Sequence, residues 1–175
     1  MGKMAARITD PVVHPLPPVL TGGPGSPTVM IGNLPAWRGI PLAAVAALQS
    51  AKQATDIAIK AAEAATVAAA GTPGAPAALL TEQTTKTTSA ASMSAAISGA
   101  VSASPGASMG KGTTDVHQCA TPLPIPPHGP GVVIDGSATV MINGLPACRQ
   151  GDTILEALGP PNKIAMGHPM TYIGG

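Results

Sequence analysis

The sequence predicts a small, mainly β protein that is interrupted by an α-helical hairpin. A β-turn unit occurs more than once along the chain, and a long Ala-rich block separates its first two copies. Bulky core residues are scarce, because the 175 residues include no Phe, one Trp and one Tyr. Internal repetition outweighs local propensity, since each copy buries its apolar face only against the others.

The repeat is clearest in residues 25–38 and 136–149, which agree in Gly, Ser, Thr-Val-Met-Ile, Leu-Pro-Ala and Arg. A third, truncated copy, Gly-His-Pro-Met-Thr-Tyr-Ile-Gly-Gly, closes the chain at 167–175. The β-branched content of residues 26–31 and 139–142 predicts a strand in each full copy. Short strands separated by frequent turns indicate an all-β architecture.

Each predicted strand runs into a pair of turn-forming residues. The pairs are Gly32-Asn33 and Asn143-Gly144, and the second is a strong signal for a type I′ hairpin turn. Pro35 and Pro146 follow, so we expect them at a sheet edge or in a turn.

Residues 41–112 have a different character and predict two helices. Pro41 suits a first helical position, and residues 42–70 contain neither Gly nor Pro. A Gly/Pro-rich break at 71–76 precedes a second helical run over 77–103. A partly ordered low-complexity linker is the alternative. In either case the block is an insertion with adjacent ends, because the repeats resume in phase after it. The predicted domains are a discontinuous β part, 1–40 and 113–175, and the insertion, 41–112.

Composition and charge disfavour several functions. A net charge of +1 with 10% charged residues argues against nucleic acid or an anionic membrane surface as a partner. Phosphate-binding and dinucleotide-binding motifs do not occur. We therefore expect that the protein is not an enzyme. The alternative is a zinc-dependent hydrolase with Asp115 or Glu156 as its base, which would need an open metal position.

The start of the chain carries no apolar stretch typical of a signal peptide, so we expect synthesis in the cytoplasm. Cys119 and Cys148 are then expected as free thiols or metal ligands, not as a disulfide. Cys148 occupies the repeat position of Trp37, which predicts a packing role.

The histidines point to a metal. All four lie in the β segments, Cys119 lies there too, and residues 41–112 contain neither His nor Cys. His117 and Cys119 share a face if their segment is extended. Imidazole and thiolate are the ligands that Zn²⁺ selects, so these residues predict a zinc site. The alternative is that the histidines are solvated residues in separate turns and do not come together. A small protein with so few aromatic residues has little core to stabilise its fold, so a bound metal ion would supply the missing stability. The candidate ligands of one structural Zn²⁺ per chain are His14, His117, Cys119, His128 and His168.

Several ordered motifs resemble one family. Pro35-Ala36-Trp37-Arg38 and Pro146-Ala147-Cys148-Arg149 resemble the Pro-Ala-Ala-Arg signature of the PAAR-repeat family. Residues 5–14, 115–129 and 164–174 are similar to its first turn and its later segments. The resemblance covers 1–40 and 113–175 and leaves the insertion unexplained.

The resemblance implies a zinc-stapled β cone with three-fold pseudo-symmetric repeats. Such a cone caps the trimeric valine-glycine-repeat spike of a type VI secretion system, sharpens it for membrane piercing and can carry effectors. We therefore expect one monomer on each trimer, transient membrane contact during piercing, effector cargo and export with the spike. The helical insertion could instead make the protein an effector or adaptor. Many relatives have Cys where this chain has His168, so the ligand set stays open. We expect that one of the five candidates, either His117 or Cys119, does not bind the metal directly.

Overall fold

A computed structural model describes residues 2–14, 19–105, 110, 112–119, 122 and 127–174. Within these residues the fold consists of ten short strands and two helices, which confirms the predicted mainly β fold with a helical hairpin. In chain order the elements are β1 (Lys3–Ala5), β2 (Met30–Ile31), β3 (Leu34–Pro35), α1 (Leu42–Ala69), α2 (Ala75–Ser102), β4 (Val116–Cys119), β5 (Gly129–Val133), β6 (Met141–Ile142), β7 (Leu145–Pro146), β8 (Thr153–Glu156), β9 (Asn162–Lys163) and β10 (His168–Ile173).

The two full repeats each form a small antiparallel hairpin, β2–β3 and β6–β7. Gly32 and Asn33 have φ values of 53° and 66°, and Asn143 and Gly144 have φ values of 55° and 79°. Positive φ at both central residues is the type I′ turn that the dipeptides predict.

The hairpin strands are shorter than predicted because a serine turns the chain ahead of each one. The Ser26 hydroxyl accepts hydrogen bonds from the backbone N–H groups of Thr28 and Val29, at 3.3 and 3.0 Å. Ser137 accepts the equivalent bonds in the second copy. Residues 26–29 therefore form a turn stabilised by a side chain, and pairing begins only at Met30.

The third copy is completed in space by the start of the chain. β10 pairs antiparallel with β1, with Lys3 opposite Ile173 and Met4 opposite Tyr172. The strand that residues 167–175 lack is thus supplied by the N-terminal segment. The three repeat units are equivalent hairpins, and the third one ties the two ends of the chain together.

A closed set of backbone hydrogen bonds joins the three units. Each unit contains an Ala-X-Arg triplet: Ala5-Ala6-Arg7, Ala36-Trp37-Arg38 and Ala147-Cys148-Arg149. Ala6 N–H donates to the Cys148 carbonyl (2.9 Å), Cys148 N–H to the Trp37 carbonyl (3.0 Å) and Trp37 N–H to the Ala6 carbonyl (2.9 Å). The triplets therefore form a ring with three-fold pseudo-symmetry, called the triplet ring below.

Each arginine of the triplet ring is held by an aspartate that also accepts a hydrogen bond from the arginine's backbone N–H. The pairs are Arg7 with Asp10, Arg38 with Asp115, and Arg149 with Asp152. Burial raises the pKa of both Asp115 and Asp152, against the opposing effect of their arginines. The helical insertion lies between Arg38 and Asp115, and the Asp115 N–H still donates to the Arg38 carbonyl at 3.1 Å. The insertion therefore leaves the repeat geometry intact.

The insertion is a pair of helices packed on each other and on the sheet β4-β5-β8-β9. The helix continues through the Thr-rich part of α2, where side-chain hydroxyls donate to carbonyls four residues earlier, as Thr84 does to Leu80. Leu48, Met93 and Ile97 are buried against Val132 and Leu155. The helices and the sheet share one core, which the alternative of a partly ordered linker does not explain. Among the described residues, no helix combines the length and the apolar character that a bilayer crossing requires.

We expect Met93→Ala to lower the free energy of unfolding by about 2–5 kcal/mol, because Met93 is 1% exposed at the helix–sheet contact. Leu80→Ala is the matched control, since Leu80 lies on the same helix and is 65% exposed; its effect should stay within about 0.5 kcal/mol. Urea unfolding followed by Trp37 fluorescence measures both. Equal stability of the two variants would contradict the packing described here.

Candidate metal centre

Four side chains converge at one buried place. His14, His117, Cys119 and Glu156 offer ligand atoms that all lie within 4.8 Å of one another. The Nε2 atoms of His14 and His117 are 3.0 Å apart, and Glu156 Oε1 lies 3.6 Å from the first and 3.9 Å from the second. This set is called the His/Cys/Glu cluster below. Three of its members are predicted zinc ligands.

Strand register brings three members of the cluster together. His117 on β4 is paired with Gly131 on β5, and Gly131 is paired with Glu156 on β8. Side chains at paired positions point to the same face of a sheet, so His117 and Glu156 face each other across a residue without a side chain. A Cβ on Gly131 would come within 2.9 Å of Glu156 Cγ. Cys119, two residues after His117, lies on the same face.

The protonation of His117 suits metal binding. Its burial, and to a smaller extent the nearby His14, lower the pKa of His117 to about 4. The imidazole is thus neutral near pH 7, which is the form that binds a metal ion. The backbone N–H of Thr21 lies 3.4 Å from Nδ1, and this leaves Nε2 directed at the cluster.

Glu156 provides the test of whether a cation fits. The residue is fully buried, and Oε1 has no hydrogen-bond partner among the described residues. An unpaired buried carboxylate oxygen is costly unless a positive group satisfies it. Two imidazole nitrogens, a thiol and a carboxylate oxygen are all donor types that Zn²⁺ accepts. The donor set therefore fits a zinc ion.

The predicted ligand His128 lies beside the cluster and contacts it through Glu156. Its Nδ1 is 2.5 Å from Glu156 Oε2, and the Asn162 side-chain amide donates to the same oxygen at 2.9 Å. The centres of the His128 and His14 rings are 6.4 Å apart.

The fifth predicted ligand, His168, lies outside the cluster. In the repeat it occupies the position of Ser26 and Ser137, at the head of its hairpin. Its Nδ1 is 3.0 Å from Thr171 Oγ1, and its Nε2 packs so closely on Gly32 that a Cβ there would lie 2.4 Å away. A ligand role for His168 remains a prediction, for which this placement offers no support.

Glu156 is the member of the cluster that the ligand prediction missed, since it was considered only as a catalytic base. Extending the repeat alignment past the arginine would have found it. Arg7-Ile-Thr-Asp10-Pro-Val-Val-His14 aligns with Arg149-Gln-Gly-Asp152-Thr-Ile-Leu-Glu156 without a gap. The two acidic residues that precede predicted ligands, Asp10 and Asp115, pair with arginines and not with histidines.

The two cysteines have different surroundings. Neither forms a disulfide. Cys148 is completely buried beside Trp37 and Val133 in an apolar core, and this burial raises the pKa of its thiol well above the usual range. Cys148 thus packs as predicted from its repeat position, whereas Cys119 belongs to the His/Cys/Glu cluster.

The fold and the cluster define a class: a small β-repeat protein with a closed ring and a buried candidate metal centre. In a comparison with known protein families, residues 124–175 match the family model described as PAAR motif. No significant match was found among curated proteins or among solved structures. The family match confirms, over residues 124–175, the resemblance to PAAR-repeat proteins seen in the sequence, and two helices lie between the β segments of the chain. It supports a role related to the metal-binding spike tips of type VI secretion systems.

We expect His168→Ser to bind as much zinc as the wild type and to change the free energy of unfolding by less than about 1 kcal/mol, because serine occupies the equivalent position in both other repeats. Elemental analysis and urea unfolding measure the two quantities. A His168→Ser protein that folds but has lost its metal would show that His168 is a ligand after all.

Proposed function

We propose that this protein is a non-enzymatic, zinc-stabilised tip that caps a trimeric valine-glycine-repeat spike of a type VI secretion system. The observation that carries the proposal is a pseudo-three-fold set of exposed apolar side chains. Met30, Met141 and Tyr172 occupy the same repeat position and are 56%, 51% and 63% exposed. The next residue of each unit, Ile31, Ile142 or Ile173, is buried in a shared core.

A trimer is the partner that such a surface fits. Exposed large apolar residues at related positions indicate a contact surface. A single chain with three equivalent units can present the same group to each subunit of a trimer, so one monomer would sit on each spike. The short hairpin strands could also continue the β structure of the partner.

The biological role follows from this location. As a tip, the protein would be made in the cytoplasm, sharpen the spike, leave the cell with it and contact the target membrane transiently during piercing. The charge of +1 is consistent with a role that involves no nucleic acid.

The zinc would be held at the His/Cys/Glu cluster and would act structurally. Zinc bound to a folded site contributes its apparent binding free energy, about 10–16 kcal/mol in small zinc domains, to folding. The protein has few aromatic side chains with which to stabilise its turns, so this contribution would matter here. One structural Zn²⁺ per chain is proposed.

The hydrolase alternative has less support. A catalytic zinc needs an open coordination position beside a cleft. Two cavities of about 500 and 660 Å³ lie where α1 meets the segment around Pro161, and none of the cluster residues lines either one. In the part of the chain that the structure describes, these cavities therefore give no substrate access to the cluster.

Cargo attachment through the insertion is a second candidate function. Val67, Leu79 and Leu80 are exposed near the turn that joins α1 to α2, on the part of the hairpin farthest along the chain from its junction with the β part. An effector with an apolar docking surface could bind there while Met30, Met141 and Tyr172 contact the spike.

We expect the purified protein to contain about one zinc per chain and His14→Ala to contain far less, because His14 supplies one of the nitrogens in the cluster. Met170→Ala is the control, since Met170 is exposed. Elemental emission spectrometry of the three dialysed proteins measures the difference. Wild-type protein without zinc would contradict the proposed structural role of the metal.

We expect the triple variant Met30→Lys, Met141→Lys, Tyr172→Lys to bind the spike trimer at least about tenfold more weakly, or about 1.4 kcal/mol. Three charges would then have to be desolvated at an apolar contact. Leu80→Lys, on α2, is the matched control and should bind like the wild type. Titration calorimetry with the isolated trimer measures the affinities, and unchanged binding by the folded triple variant would rule out this surface.

A further inference from the structure

We infer that Glu156 is the fourth ligand of the zinc site and that His128 is a positioning residue that orients Glu156. The inference rests on the proposed binding of zinc at the His/Cys/Glu cluster. It assigns a carboxylate to a site whose predicted ligands are four imidazoles and one thiol.

The first argument is the geometry of the unpaired oxygen. Tetrahedral zinc with ordinary bond lengths to N, O and S brings its ligand atoms to about 3.3–3.8 Å from each other. Glu156 Oε1 lies 3.6 Å from His14 Nε2 and 3.9 Å from His117 Nε2. Oε1 is also the buried oxygen without a hydrogen-bond partner among the described residues. It is therefore placed and available to bind the ion.

The second argument is the other oxygen. Oε2 is held by His128 Nδ1 at 2.5 Å and by the Asn162 amide at 2.9 Å. Two contacts to one oxygen fix the carboxylate plane and leave Oε1 turned toward the cluster. Ligating carboxylates are commonly held by outer partners in this way.

The third argument is that both nitrogens of His128 are occupied away from the other three members of the cluster. Nδ1 is engaged by Glu156, and Nε2 lies against Gly159, where a Cβ would be only 3.0 Å away. His128 would have to turn and release Glu156 before it could bind the ion.

The fourth argument is the pseudo-symmetry of the triplet ring. In every unit, the aspartate that pairs with the ring arginine is followed, four residues later, by a member of the cluster. These positions are Asp10 and His14, Asp115 and Cys119, and Asp152 and Glu156. His117, two residues after Asp115, adds the fourth donor. Each repeat thus contributes at an equivalent position, and neither His128 nor His168 occupies one.

The charges agree with this ligand set. A thiolate and a carboxylate together neutralise Zn²⁺, whereas three imidazoles and one thiolate leave a net positive charge. His117, Cys119 and Glu156 are all buried, and a neutral site is favoured where charges are removed from water.

X-ray absorption at the zinc edge of the full wild-type chain tests the inference. We expect one sulfur near 2.3 Å, three lighter ligands, and outer-shell scattering from two imidazoles. Scattering from three imidazoles would overturn the inference and leave the proposed zinc role standing. A chain that binds no zinc would overturn both.

Two variants test the positioning role. His128→Gln should keep the wild-type first shell while its zinc affinity, measured by competition with a chelator, falls about 10–100-fold. Glu156→Gln should alter the first shell itself and lower the affinity further. If His128→Gln instead removes an imidazole from the zinc shell, His128 is a ligand and the inference is wrong. The wild-type spectrum decides the matter even where a variant does not fold.

Discussion

The backbone hydrogen bonds that close the triplet ring are the interaction on which the rest of this structure depends. Ala6, Trp37 and Cys148 each donate to one neighbour in the ring and accept from the other. Short two-residue strands such as β2 and β6 would be unstable as separate hairpins. Because every hairpin is attached to the ring, three weak units support one another, and the pairing of β1 with β10 closes the set.

The ring also determines where the candidate metal centre lies. Arg7, Arg38 and Arg149 are paired with aspartates, and the chain leaves each aspartate toward the His/Cys/Glu cluster. Removing one partner of a buried pair such as Arg38–Asp115 would leave an unpaired buried charge, so these pairs constrain the ligand segments strongly. The ring thus fixes both the exposed apolar positions and the segments that carry the ligands. The insertion is tolerated because its ends meet at one such pair.

Much of this fold could be predicted from the sequence, and the reasons are local. Asn143-Gly144 specifies a two-residue turn, and an Ala-rich run without Gly or Pro specifies α1. The completion of the third repeat by β1 was missed, because a strand partner about 170 residues away leaves no local signal. The Thr-rich part of α2 was uncertain from propensity, yet it is helical, because packing on the neighbouring helix outweighs the low propensity of its threonines.

The candidate site was only partly predictable for the same reason. His14, His117 and Cys119 stand out by residue type, and the structure brings them together. Glu156 faces His117 across Gly131 through strand register, and a choice of ligands by residue type alone passes over a carboxylate that only its repeat position singles out. His168 has the right chemistry, but its repeat position is that of a turn-forming serine.

Native-state hydrogen exchange followed by NMR tests the central role of the ring most directly. The amides of Ala6, Trp37 and Cys148 should be the slowest to exchange and should share one protection factor, because they open only on global unfolding. Amides near the α1–α2 turn should exchange much faster. Three ring amides with clearly different protection, or with protection no higher than that of the helical turn, would contradict this account.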